Sequence, residues 1–172
     1  AALFEGARAA AAQEHFLESR AKLRMAFERA DSAGSRALWW QLRQESEDWN
    51  LDLGAPLWGV GFHPSGDRVG VAAMDKSVYL VDTVTRTAKV LRGHRDQVLA
   101  IAFSPKGDEL ATSDLAGVIR IWNAQNGEPR RILSGHKAGV NALDYSLDGS
   151  LLISGGNDRT VRVWDARSGE TK

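Results

Sequence analysis

The sequence predicts a mainly β protein: an array of repeated small sheets preceded by a short α-helical region. Three observations predict it. Residues 1–47 are rich in Ala, Leu, Arg, Glu and Gln and contain no proline, a composition that favours helix. From Trp49 onward, short β-branched runs such as Val78-Tyr79-Leu80-Val81 and Val118-Ile119-Arg120-Ile121 are separated by Gly, Asp, Asn, Ser and Pro, the pattern of strands and turns. Three stretches of this second region align without a gap: FHPSGDRVGVAAMDKSVYLVD (62–82), FSPKGDELATSDLAGVIRIWN (103–123) and YSLDGSLLISGGNDRTVRVWD (145–165).

In the first region Leu3, Phe4, Ala7, Ala10 and Ala11 recur at helical steps and mark one apolar face. Ala21, Leu23, Met25, Ala26 and Phe27 form a second apolar segment, and Asp31-Ser32-Ala33-Gly34-Ser35 is a break of cap-type residues plus glycine. Helices are expected near 2–13, 17–30 and 35–46, as a linker of three helices over 1–47. In the second region Ser65-Gly66, Lys106-Gly107 and Asp148-Gly149 lie between paired runs and are expected to be hairpin turns.

The repeat has a period. Phe62 and Phe103 are 41 residues apart, Phe103 and Tyr145 are 42, and the Gly-His pairs at His94 and His136 are again 42 apart. Several strands per unit of about 40 residues signal a propeller or solenoid array, in which no unit can bury its own apolar faces and neighbours must stack.

Composition excludes several classes. Lys+Arg and Asp+Glu are both 22, so a neutral chain offers no electrostatic footprint for nucleic acid or an anionic membrane. No apolar run approaches the ~18–20 residues a membrane helix needs. There is no cysteine, which excludes disulfides and Cys-based zinc and fits a cytoplasmic location. His15 has no second ligand at metal spacing, so neither metal nor cofactor is expected. The chain starts at Ala1 and ends at Lys172, and part of a longer protein is expected.

Gly93-His94…Trp122-Asn123 and Gly135-His136…Trp164-Asp165, each with 27 residues between its two pairs, resemble the WD-repeat β-propeller family over about residues 49–172. The resemblance implies units of about 49–92, 93–134 and 135–172, that is, a partial propeller of three blades, the last lacking its outer strand. It implies an inner strand at Val98–Phe103, then strands at Glu109–Ser113, Val118–Trp122 and Arg130–Leu133. Trp49-Asn50-Leu51 then resembles an outer strand that comes before its own blade.

Ser154, His136 and Asp158 are the residue types of a hydrolase triad, and the alternative is a structural network. The resemblance implies that His136, Ser154, Asp158 and Trp164 hydrogen-bond in series inside the blade. The chemistry agrees: a buried indole needs an acceptor, and a buried carboxylate without partners is expensive. A nucleophile would need a strained turn and oxyanion donors, and no nucleophile-elbow sequence surrounds Ser154. The second unit keeps His94, Thr112 and Trp122 but places Ala116 where Asp158 stands. The first keeps Asp75 but has Leu53, Val71 and Val81 at the other places. His63 replaces the serine of the Ser-Pro turn and is expected to be exposed.

The resemblance also implies one loop face that binds peptides or proteins: Arg95, Asp96, Gln97 and Leu115, Lys137, Asn157 and Arg159, with Trp58 and Met74 in the first blade. Arg, Trp and Met are types favoured in interface cores. Residues 21–27 and 37–42 resemble helical linkers of bacterial multidomain signalling proteins, among them serine/threonine kinases with C-terminal propellers. The expected function is a non-catalytic interaction scaffold, the partner-binding arm of such a protein. Its neighbours would be a protein partner and either the remaining blades of its own chain or other copies closing a ring. An enzyme with a channel site is disfavoured, because Asp144 is the one acidic residue of the three inner strands.

Overall fold

The computed structural model describes residues 50–172, and the three expected helices lie outside the described residues. Eleven strands follow one another from Leu57 to Asp165. The first sheet holds β1 (Leu57–Phe62), β2 (Arg68–Ala73), β3 (Ser77–Asp82) and β4 (Ala88–Arg92). The second holds β5 (Val98–Phe103), β6 (Glu109–Asp114), β7 (Val118–Asn123) and β8 (Pro129–Ser134). The third holds β9 (Val140–Tyr145), β10 (Leu151–Gly156) and β11 (Val161–Asp165). Each is a meander of antiparallel neighbours in chain order.

The hairpins arise where the sequence places glycine. Gly66, Gly107 and Gly149 have φ of 77°, 73° and 73°, a region that costs a side-chain-bearing residue energy. Their N–H groups donate to the carbonyls of His63, Ser104 and Ser146 at 2.8, 2.9 and 2.8 Å. The β3–β4, β7–β8 and β11 turns are built alike, with Asp82, Asn123 and Asp165 accepting from the backbone two and three residues ahead.

The core lies between sheets. Ala72, Val78 and Leu91 of the first meet Val98, Leu110, Trp122 and Ala124 of the second. Ala111, Ile119, Ile121 and Leu133 of the second meet Val140, Tyr145, Leu152 and Trp164 of the third. A single four-stranded sheet has two faces and no interior, so removing this area from water, at roughly 25 cal/mol per Å², requires a neighbour.

Two strand expectations change. Asn50 and Leu51 are in no strand, and Trp49 lies outside the described residues. The outer strand of the third sheet is not wholly lacking. Thr171 bridges to Trp164, and the Lys172 N–H donates to the Val163 carbonyl at 2.9 Å. The Trp122↔Pro129 pairing of the second sheet, where β8 starts, is the same contact 42 residues earlier.

Candidate functional site: buried polar chains and a loop rim

In the third sheet the structure brings all four predicted residues together. β11 carries Trp164, whose Nε1–H donates to Ser154 Oγ on β10 at 2.8 Å. Ser154 Oγ lies 2.8 Å from His136 Nε2, and His136 Nδ1 lies 2.9 Å from Asp158 Oδ2. A carboxylate only accepts, so Nδ1 carries the ring proton, which leaves Nε2 to accept from the serine hydroxyl. Asp158 also accepts from the backbone N–H groups of Lys137 (2.9 Å) and Thr160 (3.0 Å) and from the Thr160 hydroxyl (2.7 Å). The Lys137 N–H, then the Thr160 hydroxyl, hold this carboxyl well below its ordinary range, against the opposing pull of desolvation. The chain ties the loop before β9 to the β10–β11 turn and both to the sheet. Gly135 leaves room for it: a Cβ there would lie 3.1 Å from the Trp164 ring and 2.8 Å from the Arg162 guanidinium.

The second sheet builds the same chain from a different acid. Trp122 Nε1–H donates to Thr112 Oγ1 at 2.7 Å, Thr112 Oγ1 lies 2.8 Å from His94 Nε2, and His94 Nδ1 lies 2.8 Å from Asp114 Oδ2. Sequence alignment placed Ala116 opposite Asp158 and left this unit without an acid. The structure corrects that: Asp114, the last residue of β6, reaches His94 from the strand end instead of from the turn. Its other oxygen accepts from the N–H groups of Ala116 and Val118 and closes the turn. The missed signal is an aspartate at the end of a strand otherwise buried throughout after its first residue. Burial pushes the Asp114 pKa up, but the His94 and Val118 hydrogen bonds outweigh it, and the net shift is downward. A depressed carboxyl contributes stability above its unfolded value of about 3.9 and loses it as pH falls through the folded value. Urea unfolding is therefore expected to show a steeper loss of stability below about pH 4 in the parent than in Asp114→Asn. Equal slopes would count against the pairing.

The first sheet has no such chain. Val71 and Val81 are buried where the others have hydroxyl and indole, while Asp75 accepts from the Tyr79 hydroxyl at 2.7 Å and the Ser77 N–H at 2.9 Å. His63 is not a free turn residue. Its Nε2 lies 2.9 Å from the Gly107 carbonyl of the next sheet, and its ring meets Phe103 edge-on at 5.3 Å.

Ser154 and Thr112 are buried at the centre of these chains, with their hydrogen-bonding capacity spent on histidine and indole. Neither is placed as a nucleophile facing solvent.

Most of the predicted binding face gathers on one rim. The N–H groups of Met74, Leu115 and Asn157, each just beyond a second strand, donate to the carbonyls of Pro56, Gln97 and Gly139, each just before an inner strand, at 2.9, 2.9 and 2.7 Å. Arg95 and Lys137 are exposed beside them, Asp96 and Gln97 are half-buried, and Arg159 is exposed in a turn at φ 67°. Asn157 accepts a hydrogen bond from the Asn141 side chain. Trp58 is the second residue of β1, at the β-bulge between Leu57 and Gly59, in the register that Leu99 and Asn141 hold in the others.

These meanders, stacked through their faces and tied by histidine–hydroxyl–indole chains, have the architecture of propeller blades. A model of the WD domain, G-beta repeat, matches residues 85–123 and 127–165, which supports a WD-repeat family. U3 small nucleolar RNA-associated protein 21 of Saccharomyces cerevisiae is 35% identical over 78 residues, 45% of this chain and 8% of that protein. Mouse Coronin-7 is 36% identical over 76 residues, 43% of this chain and 8% of that protein. Among solved structures, the RRP9 WD40 repeats superpose with a TM-score of 0.69 at 25% identity, covering 71% of this chain and 39% of that one. A chain of a mitotic checkpoint complex structure gives 0.66 at 26% identity, covering 72% and 38%. The chain thus spans under a tenth of the length of these curated relatives, and the relatives are eukaryotic. The expected resemblance to bacterial linkers is not among what these matches support.

Proposed function

We propose that the three blades form a non-catalytic protein-interaction scaffold that presents the loop rim of Met74, Arg95, Asp96, Gln97, Leu115, Lys137, Asn157 and Arg159 to a protein or peptide partner. The observation that carries this is the backbone hook of each second-strand turn onto the segment before the inner strand. It fixes mixed apolar and charged side chains on a rigid base, which lowers the entropic cost of binding. WD repeats in the matched family model and structures support the scaffold class. The finer reading, a cytoplasmic partner-binding arm of a larger bacterial signalling protein, rests on the resemblance of residues 21–27 and 37–42 to helical linkers of such proteins and on the absence of cysteine.

The test is affinity capture with the 172-residue chain followed by mass spectrometry and RNA analysis of what is retained. A defined protein is expected, lost with Leu115→Asp or Arg159→Glu and kept with Lys106→Glu, which lies in the hairpin turn between β5 and β6. Retention that ignores the rim substitutions, or of RNA alone, would overturn the proposal.

A further inference from the structure

At the end of the blades away from the loop rim, the two seams between sheets are closed differently. In the seam between the first and second sheets a guanidinium crosses. Arg68, the first residue of β2, donates from Nη1 to the carbonyls of Ala124 at 3.0 Å and Gln125 at 3.3 Å, in the turn after β7. Lys89 of β4 donates to the Asn126 carbonyl of the same turn at 2.6 Å. Ala124 is fully buried there. In the seam between the second and third sheets the matching residue is an acid. Glu109, the first residue of β6, stands where Arg68 stands, and Ala166 and Arg167 follow β11 as Ala124 and Gln125 follow β7. The two turns are built alike: the Ala124 N–H donates to the Asp108 carbonyl at 3.2 Å, and the Ala166 N–H to the Ser150 carbonyl at 2.9 Å.

A carboxylate cannot donate to a carbonyl. Glu109 instead accepts from Arg130 at 3.0 Å and from Arg131. Arg131 crosses to the Arg167 carbonyl at 3.1 Å, but no hydrogen bond reaches the Ala166 carbonyl among the described residues. A cleft of about 310 Å³ is left open there, with Asp108, Glu109, Asp148 and Ala166 in its walls and Lys106 and Arg167 beside them. Both walls belong to the second and third sheets, so the cleft owes nothing to the faces left uncovered at either end of the array. Its fixed groups are acceptors. The Ser104 hydroxyl donates to Asp108 at 2.8 Å, and the Ser146 and Ser150 hydroxyls donate to Asp148 at 2.6 and 2.8 Å. The Ser146 hydroxyl, then the Ser150 N–H and hydroxyl, hold the Asp148 carboxyl down to about 2, so it is ionised at neutral pH. Each carboxylate keeps lone pairs for further donors. The cations are not fixed: Lys106 and Arg167 are exposed, and long charged side chains turn their heads to water.

We propose that this cleft takes an arginine side chain of a protein partner, whose guanidinium supplies the donor that Arg68 supplies in the other seam. It donates to the Ala166 carbonyl and to the Asp108 and Asp148 carboxylates. The planar fork of five N–H donors serves several fixed acceptors at once, which the point charge of an ammonium does less well. The site goes beyond the loop-rim reading and does not depend on it, since the two lie at opposite ends of the blades.

The test titrates the 172-residue chain with N-acetyl-arginine amide and follows its backbone amides by nuclear magnetic resonance. N-acetyl-citrulline amide, the neutral isostere, and N-acetyl-glutamate amide are the comparison probes. The arginine probe is expected to move the amides of Gly149, Ala166 and Arg167 and to saturate in the millimolar range, with the citrulline probe weaker by about fivefold or more. D108N/D148N, which changes two exposed hairpin positions, is expected to weaken the arginine probe by a similar factor. Glu109→Arg restores the arrangement of the first seam and is expected to abolish binding by filling the cleft from within. Should it not fold, because Arg130 and Arg131 lose their acid, D108N/D148N decides alone. Leu115→Asp, on the rim, is expected to leave the titration unchanged, which separates this site from the loop face. An arginine probe that moves none of the three amides would overturn the proposal. So would equal binding of arginine and citrulline, a stronger response of the same amides to the glutamate probe, or arginine binding indifferent to D108N/D148N.

Discussion

Replacing Trp122 with alanine is expected to lower the unfolding free energy by about 3–5 kcal/mol, the largest effect of any single change in the second blade. Trp122 is fully buried among Ala72, Val78, Leu91, Val98, Leu110 and Ala124, so its ring bridges the first and second sheets. Alanine leaves a cavity walled by two sheets whose register is fixed by backbone hydrogen bonds and which therefore cannot collapse to fill it. It also removes the indole donor to Thr112. Trp122→Phe separates the two causes: it keeps most of the volume, loses the donor, and is expected to cost less than half as much. Equilibrium urea unfolding measures both. A loss under about 1 kcal/mol for the alanine variant would mean that the sheets do not depend on this contact.

Thr112→Val is the second large effect and isolates the polar chain. Valine has nearly the shape of threonine, so no cavity forms. The Trp122 N–H and His94 Nε2 both lose their partner while remaining buried. Each orphaned group costs about 1–3 kcal/mol, and a summed loss in that range or above is expected. Thr112→Ser restores the hydroxyl, which is what the third blade uses in Ser154, and is expected to recover most of the stability. Were serine no better than valine, the methyl group and not the hydroxyl would be what the site needs.

The sequence carried most of the blade architecture because strands, turns and repeat period are local or short-range signals. Val118–Asn123 forms a strand where Val118, Ile119 and Ile121 cluster, and the hairpins turn where glycine permits φ near 75°. What was not legible depended on the third dimension. Fixed-interval alignment assigned the acid of the second blade to position 116, because it counts residues and not where a carboxylate can reach. Asp114 reaches His94 because it ends a strand beside it. Trp58 falls at a β-bulge between Leu57 and Gly59, an irregularity that no residue count reveals. His63 looked like a turn substitution, and only the neighbouring blade supplies its Gly107 acceptor.

Trp122 and Trp164 are buried donors, each held inside its blade by a buried hydroxyl that accepts from the indole. Solvent exchange of the indole Nε1 protons, followed by nuclear magnetic resonance after transfer to heavy water, tests this most directly. Protection close to that of the slowest backbone amides is expected for Trp122 and Trp164, with rapid exchange for Trp58 on its exposed strand. Thr112→Val should speed exchange at Trp122 and leave Trp164 protected. Indole protons at 122 and 164 that exchange as fast as that of Trp58 would show the hydroxyls open to solvent and contradict the structural role assigned to them.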